Sequence, residues 1–172
     1  MPGTKELSRR IKSIKSTRKV TRAMQMVSAA KMRKSQQIAL SSRSYAHLAW
    51  EMIRRVVGTN HVVINHPLLE HHDKATKIGV VIISSNRGLV GIFNINILSM
   101  LSREEREHAE FLHEVVVLGK KAREAVVRLR KNLIADFPKH DATVPVEEIY
   151  PLVKMLIDQY QTGAYRKIVV IY

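Results

Sequence analysis

Cysteine is absent from the 172 residues, which excludes disulfides, iron–sulfur clusters, Cys-ligated zinc and thiol nucleophiles. Long hydrophobic runs are absent as well. The longest, residues 80–83 and 115–118, fall far short of the roughly 20 apolar residues that cross a bilayer, and no signal-peptide core follows Met1. A soluble, intracellular chain is expected. Glycine and proline are missing from every position between Gly3 and Gly58. Acidic side chains are nearly missing from the same stretch. Residues 1–58 carry 14 basic and two acidic side chains, a net of +12, whereas residues 59–172 carry 15 and 13, a net of +2. What is present is enough for a core, since 45% of the residues are apolar. Two units are expected, and the first requires an anionic partner.

A breaker-free stretch of 54 residues (4–57) rich in Lys, Arg, Ala, Met, Gln and Ser predicts one continuous helix, about 80 Å long at 1.5 Å per residue. Thr4 is expected to cap its start and Gly58 to end it. Apolar residues recur at Leu7, Ile11 and Ile14, then Val20, Met24 and Val27, then Ile38, then Tyr45, Leu48, Met52 and Val56. Spacings of three and four within these groups make a seam of coiled-coil width. The seam thins at Ser28, Ala29, Ala30 and Ala39, where a second backbone could approach closely. Such a helix projects from its domain or lies along a partner.

The charges on this helix repel one another. Arg9–Lys12, Lys12–Lys15, Lys15–Arg18, Lys15–Lys19, Arg18–Arg22 and Lys19–Arg22 are like-charged pairs three or four residues apart. Each costs an isolated helix about 0.2–0.5 kcal/mol, so together they cost roughly 1–3 kcal/mol. Only Glu6 and Glu51, near the two ends, can relieve them locally. The missing acids must come from phosphates, lipid headgroups or the carboxylates of another protein.

From residue 77 the pattern changes. Short β-branched runs at residues 77–84, 114–118 and 167–172, with a weaker one at 133–137, alternate with helical stretches near 92–106, 120–131 and 146–161. Alternation of this kind predicts an α/β fold, a parallel sheet with helices on its faces. Residues 59–76 read as an irregular connector. The chain reaches Ile171 and Tyr172 on an apolar strand, so the natural polypeptide is expected to continue.

Three candidate sites follow from residue type and spacing. The segment from Ser84 to Gly91 lies between a strand and a helix, where sheets of this class bind ligands. Its Gly88-x-x-Gly91 spacing supplies neither GxGxxG nor a Walker A lysine. A structural turn at Arg87, Gly88 and Gly91, with glycine serving close packing, is favoured over a small nucleotide-binding domain. His66, His71, His72 and Asp73 form no HxxxH, HExxH or HxH pattern, and solvated loop histidines are favoured over a metal centre. No GxSxG is present and the carboxylates Glu104, Glu105, Glu107 and Glu110 cluster as on a surface. No catalytic, cofactor-binding or metal-ligating residue is expected.

A nucleic-acid-binding basic helix is the alternative function. The pI near 10.3 favours it. The basic helix has only Tyr45 and Trp50 as aromatics, both well past the densest charge, so stacking on single strands is poorly supported. No leucine seam follows Lys34, where SQQIALSSRSYAHLAWEM stands instead of a zipper.

The stretch Lys19-Val20-Thr21-Arg22-Ala23-Met24-Gln25-Met26-Val27-Ser28-Ala29-Ala30-Lys31-Met32-Arg33-Lys34 resembles the N-terminal helix of the ATP synthase gamma chain family, whose pattern runs KIT-K-AM-MVA-KM-K. Lys5-Glu6-Leu7 through Ile14, Ser44-Tyr45-Ala46 and His66-Pro67-Leu68-Leu69-Glu70 resemble the same family in order, as does Ser84-Ser85-Asn86-Arg87-Gly88-Leu89 with Asn94 and Asn96. Asn86 stands where the family has Asp, and Val90 where it has Cys.

The resemblance implies a rotor. In that family the first helix pairs with a C-terminal helix as an antiparallel coiled-coil shaft inside a ring of alpha and beta subunits. A Rossmann-like domain sits at its foot, against the epsilon subunit and the ring of membrane c subunits. The gamma chain is not itself catalytic, binds no nucleotide or other cofactor, and couples proton flow to ATP synthesis. By position, Met24, Lys31, Arg33 and Lys34 fall at the shaft–beta coupling region; Lys19 and Arg22 are added on charge alone. Residues 1–58 would be the basic shaft helix, 59–76 the connector and 77–172 an incomplete Rossmann-like domain, the C-terminal shaft helix being absent. The resemblance also implies a bacterial protein, peripheral on the cytoplasmic side of the plasma membrane, with no nucleic-acid partner.

Overall fold

The computed structural model describes residues 3–58, 66–139 and 146–172. Two compact units divide the chain, Met1–Val62 and Val63–Tyr172.

The first unit is a single helix, α1 (Thr4–Gly58), of 55 residues. The absence of Gly and Pro inside it leaves every backbone N–H free to continue the ladder. Gly3, rather than Thr4, closes the start: its carbonyl accepts the N–H groups of Glu6 at 2.8 Å and Leu7 at 3.2 Å. Thr4 is already helical, so its hydroxyl is not the expected cap. At the other end Gly58 is the last helical residue and has no left-handed φ. Thr21 donates its hydroxyl back to the Thr17 carbonyl at 3.0 Å, and Ser41 and Ser42 do the same to Ile38 at 2.8 and 3.1 Å. Polar residues are thereby accommodated without breaking the helix. No side chain of α1 is buried.

The second unit is built on four parallel strands, β1 (Lys77–Ile83), β2 (Leu112–Leu118), β3 (Leu133–Phe137) and β4 (Tyr165–Ile171), in the order β3-β2-β1-β4. Helices α2 (Phe93–Glu107), α3 (Lys120–Arg128) and α4 (Val146–Gln161) make the crossovers. A 3₁₀ turn, Pro67–Leu69, precedes β1, its first free N–H at Leu68 donating to His66 Nδ1 at 3.2 Å. The rest of the connector expected over 59–76 lies partly outside the described residues.

β2 and β4 each begin two residues earlier than the β-branched runs indicate. Parallel pairing supplies the difference: Leu112 and Tyr165 both pair with Lys77. α3 ends at Arg128 instead of Lys131 because Arg130 adopts a left-handed φ of 53° and turns the chain.

Period-two alternation then sorts the core into two faces. Ile78, Val80, Ile82, Val115 and Val117 meet Ile97 and Leu101 of α2 and Ala122 and Val126 of α3. Val81, Val116, Leu118 and Tyr165 meet Leu152 and Leu156 of α4. Each large side chain so buried contributes about 1.5–3 kcal/mol. β1 is therefore covered on both sides, which is why residues 78–83 carry no polar side chain. The exception in that run has a reason. A Cβ on Gly79 would stand 3.1 Å from Tyr165 Cε2, so glycine there makes room for the ring.

Tyr165 is fully buried, and its hydroxyl donates to Glu114 Oε2 at 2.9 Å while Lys77 Nζ holds Oε1 at 2.7 Å. Burial first, and the Glu114 carboxylate second, push the phenol well above its ordinary range. Below the ordinary tyrosine value near 10 the phenol is neutral folded and unfolded, so its contribution is intact. As pH rises past that value the unfolded phenol ionises and the folded one does not, and stability falls. Tyr165→Phe should therefore cost about 1 kcal/mol near neutral pH, with the gap to wild type narrowing above about pH 10. Urea denaturation of both proteins at neutral and alkaline pH checks this. A gap independent of pH would contradict it.

Candidate functional site

Two regions carry the residues singled out from the sequence. The first is α1. Lys19, Arg22, Met24, Lys31, Arg33 and Lys34 are all on it and all exposed. At 3.6 residues per turn, Met24 and Lys31, seven apart, share one face. Lys12, Lys15, Lys19 and Arg22 follow one another at intervals of three and four, and Arg33 lies eleven residues, about three turns, further on. These five make a stripe on a different face from Met24.

The densest part of the stripe is a shallow groove in which Lys12, Lys15, Arg18, Lys19 and Arg22 are interleaved with Ser8, Ile11 and Ser16. None of these five cations has a carboxylate partner among the described residues. Ion pairs of α1 include Arg10–Glu6 at 2.8 Å and Arg55–Glu51 at 3.5 Å, near the two ends where its acids stand. Lys12, Lys15 and Arg18 belong to the cation cluster although only Lys19 and Arg22 of it were expected at the coupling region. The signal was already present in the run of like-charged pairs, which begins at Arg9.

The apolar side of α1 is equally uncovered: Met24 is 52% exposed, and Leu7, Ile11, Ile14, Val20 and Val27 resemble it. Apolar groups at spacings of three and four, thinned at Ser28–Ala30 and Ala39, are thus exposed together with cations that have no carboxylate partner among the described residues.

The second region is the turn from Ser84 to Ile92, at the carboxyl end of β1. The strand order reverses between β1 and β4, so this turn borders the crevice where doubly wound sheets bind ligands. On the side of the turn that faces β2 and α3, its polar groups are engaged by the chain itself. Ser84 is 1% exposed; its N–H donates to the Leu118 carbonyl at 2.8 Å, and its Oγ accepts the Ala122 N–H at 2.8 Å. The Lys120 N–H donates to Asn86 Oδ1 at 3.3 Å and the Lys121 N–H to the Ser85 carbonyl at 3.0 Å. The β1–α2 turn thus caps α3 with protein groups, leaving its first amides no free direction for a phosphate.

The loop after β3 bonds to the same side of the turn. Lys139 Nζ donates to the Ser84 carbonyl at 2.7 Å, Asn86 Nδ2 donates to the Lys139 carbonyl, and Arg123 pairs with Asp136 at 2.8 Å. Ser85 and Asn94 bond to each other, Asn94 Nδ2 donating to Ser85 Oγ at 2.8 Å. In the first turn of α3, the hydrogen bond from Lys121 holds the Glu124 carboxyl below the usual range.

The glycines of the turn serve a different purpose from the one expected. No heavy atom lies within 4 Å of a Cβ position on Gly88 or Gly91, so neither is there for close packing. Gly91 is needed for its left-handed φ of 58°, which Leu89 shares at 63°. Arg87 and Leu89 are exposed, Leu89 to 95%. The close approach occurs instead at Gly119, where a Cβ would stand 2.5 Å from the Ser84 carbonyl oxygen. Nothing in the local sequence marks Gly119, because the contact depends on β1 and β2 being neighbours.

Among the described residues no group of three or more acidic or histidine side chains is placed to hold a metal ion. No helix among them is long and apolar enough to cross a membrane.

A family model described as ATP synthase matches residues 3–172. The ATP synthase gamma chain of Roseiflexus castenholzii is 33% identical over 174 residues, covering all of this chain and 60% of its own length. That of Pelotomaculum thermopropionicum is 34% identical over 172 residues, and that of Xanthomonas axonopodis pv. citri 32% over 176, with the same coverage. The chain thus spans about 60% of the length of these relatives. Among solved structures, a chain of the Euglena gracilis mitochondrial ATP synthase rotor in rotational state 1 superposes with a TM-score of 0.56 at 15% identity, over 87% of this chain and 50% of that one. A chain of the same organism's OSCP/F1/c-ring assembly in rotational state 3 gives 0.53 at 16% identity, over 88% and 46%. At those identities the likeness concerns the fold, a long helix and a parallel sheet flanked by helices.

Proposed function

This chain belongs to the ATP synthase family, and from that premise we propose that it is the N-terminal part of a central-stalk rotor subunit. The observation that carries the reading is α1: 55 residues with no buried side chain, exposed apolar residues at Val20, Met24 and Val27 on one face, and a cationic stripe without carboxylate partners among the described residues on another. A shaft turning inside a ring of subunits needs both. The seam packs against a second shaft helix, and the stripe faces acidic loops of the surrounding ring.

In this reading the partners are the alpha and beta subunits around the shaft and, at its foot, the epsilon subunit and the c-subunit ring. The chain contributes no catalytic residue, cofactor or metal of its own; it is non-catalytic and mechanical. Rotation driven by proton flow carries the stripe past three acidic loops in turn, so that charge attraction defines three equivalent resting positions. Lys19, Arg22, Met24, Lys31, Arg33 and Lys34 form the coupling surface, joined by Lys12, Lys15 and Arg18. Arg87, Gly88 and Gly91 belong to a structural turn, a role supported by the hydrogen bonds that the adjoining Ser84, Ser85 and Asn86 make to the first amides of α3. The subunit is peripheral to the cytoplasmic side of a bacterial plasma membrane through its complex.

Co-expression of the natural polypeptide with alpha and beta subunits tests the reading. Assembly into a rotating complex is expected, and Met24→Lys, which adds a charge beside Val20 and Val27, should lower proton pumping per ATP hydrolysed in reconstituted vesicles. Failure to assemble would overturn the rotor reading; unchanged pumping per ATP would remove Met24 from the coupling surface. A steep fall of DNA affinity with salt, instead of assembly, would favour the nucleic-acid alternative.

A further inference from the structure

From Val20 onward the apolar residues of α1 follow a seven-residue repeat. Met24, Lys31, Ile38, Tyr45 and Met52 recur at intervals of seven, and so do Val20, Val27, Lys34, Ser41 and Leu48. The two sets alternate at steps of four and three, as the inner positions of a coiled coil do. Leu7, Ile11 and Ile14 fall outside this repeat, and α1 runs through all of it without interruption. Three of the ten inner positions are polar. Ser41 donates its hydroxyl to the Ile38 carbonyl at 2.8 Å. The other two, Lys31 and Lys34, are charged and form one layer between Val27 and Ile38. The positions that flank the seam from Ala23 to Ser44 are Ala, Ser and Gln only. Ion pairs at such flanks ordinarily set partner choice in a coiled coil, and here the flanks supply no charge for them. Arg22, Arg33 and Arg43 stand outside the seam, and no acidic residue lies between Glu6 and Glu51. Over this span the lysine layer is the charge that a packing helix meets.

We propose that Lys31 and Lys34 select the helix that packs on this seam and fix its register, and that this helix is apolar along its own seam except for two carboxylates at their level. The inference rests on the rotor reading, which supplies a second shaft helix, and adds the chemistry by which that helix is recognised. An ammonium covered by an apolar helix loses its water without a partner, whereas a carboxylate opposite it makes a charge-assisted bond. One polar layer in an apolar seam also penalises every slid register, because sliding sets the lysines against apolar residues. A second copy of α1 does not fit. Parallel and in register, it faces Lys31 with Lys31 and Lys34 with Lys34; antiparallel with these layers aligned, it faces Lys31 with Lys34. Like charges then meet in the seam. The coupling residues accordingly divide: Lys31 and Lys34 turn to the second shaft helix, and Arg22 and Arg33 are left for the ring.

Fluorescence anisotropy of the 172-residue chain with three dilute, labelled helical peptides of about five heptads tests the proposal. All three carry leucine at the inner positions except two adjacent ones at the middle, which are glutamate, leucine or lysine. Central placement aligns them with Lys31 and Lys34 in either orientation. The glutamate peptide should bind at least about tenfold more tightly than the other two, with a preference that shrinks in high salt. In the double variant Lys31→Glu, Lys34→Glu the order should reverse, the lysine peptide binding at least about tenfold more tightly than the glutamate peptide. Arg43→Glu reverses a charge outside the seam and should leave the original order. Circular dichroism of each variant checks that α1 is retained. Equal binding of the three peptides, tightest binding by the leucine peptide, or binding by none would overturn the proposal. So would a reversal produced by Arg43→Glu, which would assign the preference to the overall charge of α1. Assembly of the natural polypeptide with alpha and beta subunits is a separate readout. If it persists while the peptides show no preference, the rotor reading stands and the lysine layer does not.

Discussion

Gly119→Ala is expected to destabilise the sheet-bearing unit by about 3–5 kcal/mol, a large part of the 5–15 kcal/mol typical of a folded domain. Two independent costs add. The new Cβ would stand 2.5 Å from the Ser84 carbonyl oxygen, 2.7 Å from its Oγ and 2.9 Å from its carbonyl carbon; two of those three atoms are backbone and cannot rotate away. Gly119 also has a φ of 107°, a conformation that L residues seldom adopt. Moving Ser84 to relieve the clash would pull its Oγ from the Ala122 N–H and uncap α3. Thermal denaturation should show a fall of roughly 13–22 °C. Gly88→Ala is the contrasting variant, with open space and no left-handed φ, and should change stability by less than about 0.5 kcal/mol. A loss below about 1 kcal/mol for Gly119→Ala would mean that the β1–α2 turn yields far more readily than its bonds indicate.

The triple variant Lys15→Gln, Lys19→Gln, Arg22→Gln should have two effects of opposite sign. Five like-charged pairs on α1 disappear, Lys12–Lys15, Lys15–Arg18, Lys15–Lys19, Arg18–Arg22 and Lys19–Arg22. Helix stability should therefore rise by roughly 1–2.5 kcal/mol in isolation, seen as higher helicity by circular dichroism at low salt. Assembly with alpha and beta subunits should weaken, by about 1 kcal/mol per lost charge and so roughly a hundredfold in affinity. The salt dependence of assembly should flatten with it. A stripe that merely solvates α1 predicts the gain in helicity without the loss in assembly, and that result would remove the stripe from the coupling surface.

How much of this was legible in the sequence depends on the range of the interaction involved. α1 needed only its own residues: the missing Gly and Pro, the spacing of three and four, the repetition of Lys and Arg. The strands β1 and β3 and the helix α4 were equally local, since KIGVVII, LIADF and the stretch from Val146 carry their own periodicity. Boundaries that depend on a neighbour were missed. Leu112 and Tyr165 become strand residues by pairing with Lys77, and Arg130 ends α3 through a backbone angle no residue type demands. At the candidate turn the sequence marked Gly88 and Gly91, yet the glycine under steric constraint is Gly119. Likewise Lys139, whose ammonium reaches the Ser84 carbonyl from 55 residues away, has no local signature. At α1 the charge pattern was visible in the like-charged pairs from Arg9 to Arg22, and the groove around Lys15 follows from the same residues.

The strand order has a consequence for how the chain comes to be folded. β1 lies between β2 and β4 in the finished sheet, yet Lys77 and its β4 partner Tyr165 are 88 residues apart. At about 5–20 residues per second, a ribosome takes roughly 4–18 s to produce what separates them. β2 is available much earlier, so β1 acquires one neighbour promptly and waits for the other. Throughout that interval its second side is an open edge of nearly pure Val and Ile, and β4 has not yet been made. Closing a loop of this length is also slow in entropy terms. A nascent chain paused before β4 is thus the form most in need of a chaperone. Slowing translation between α4 and β4 would lengthen the time during which the centre of the sheet behaves as its margin.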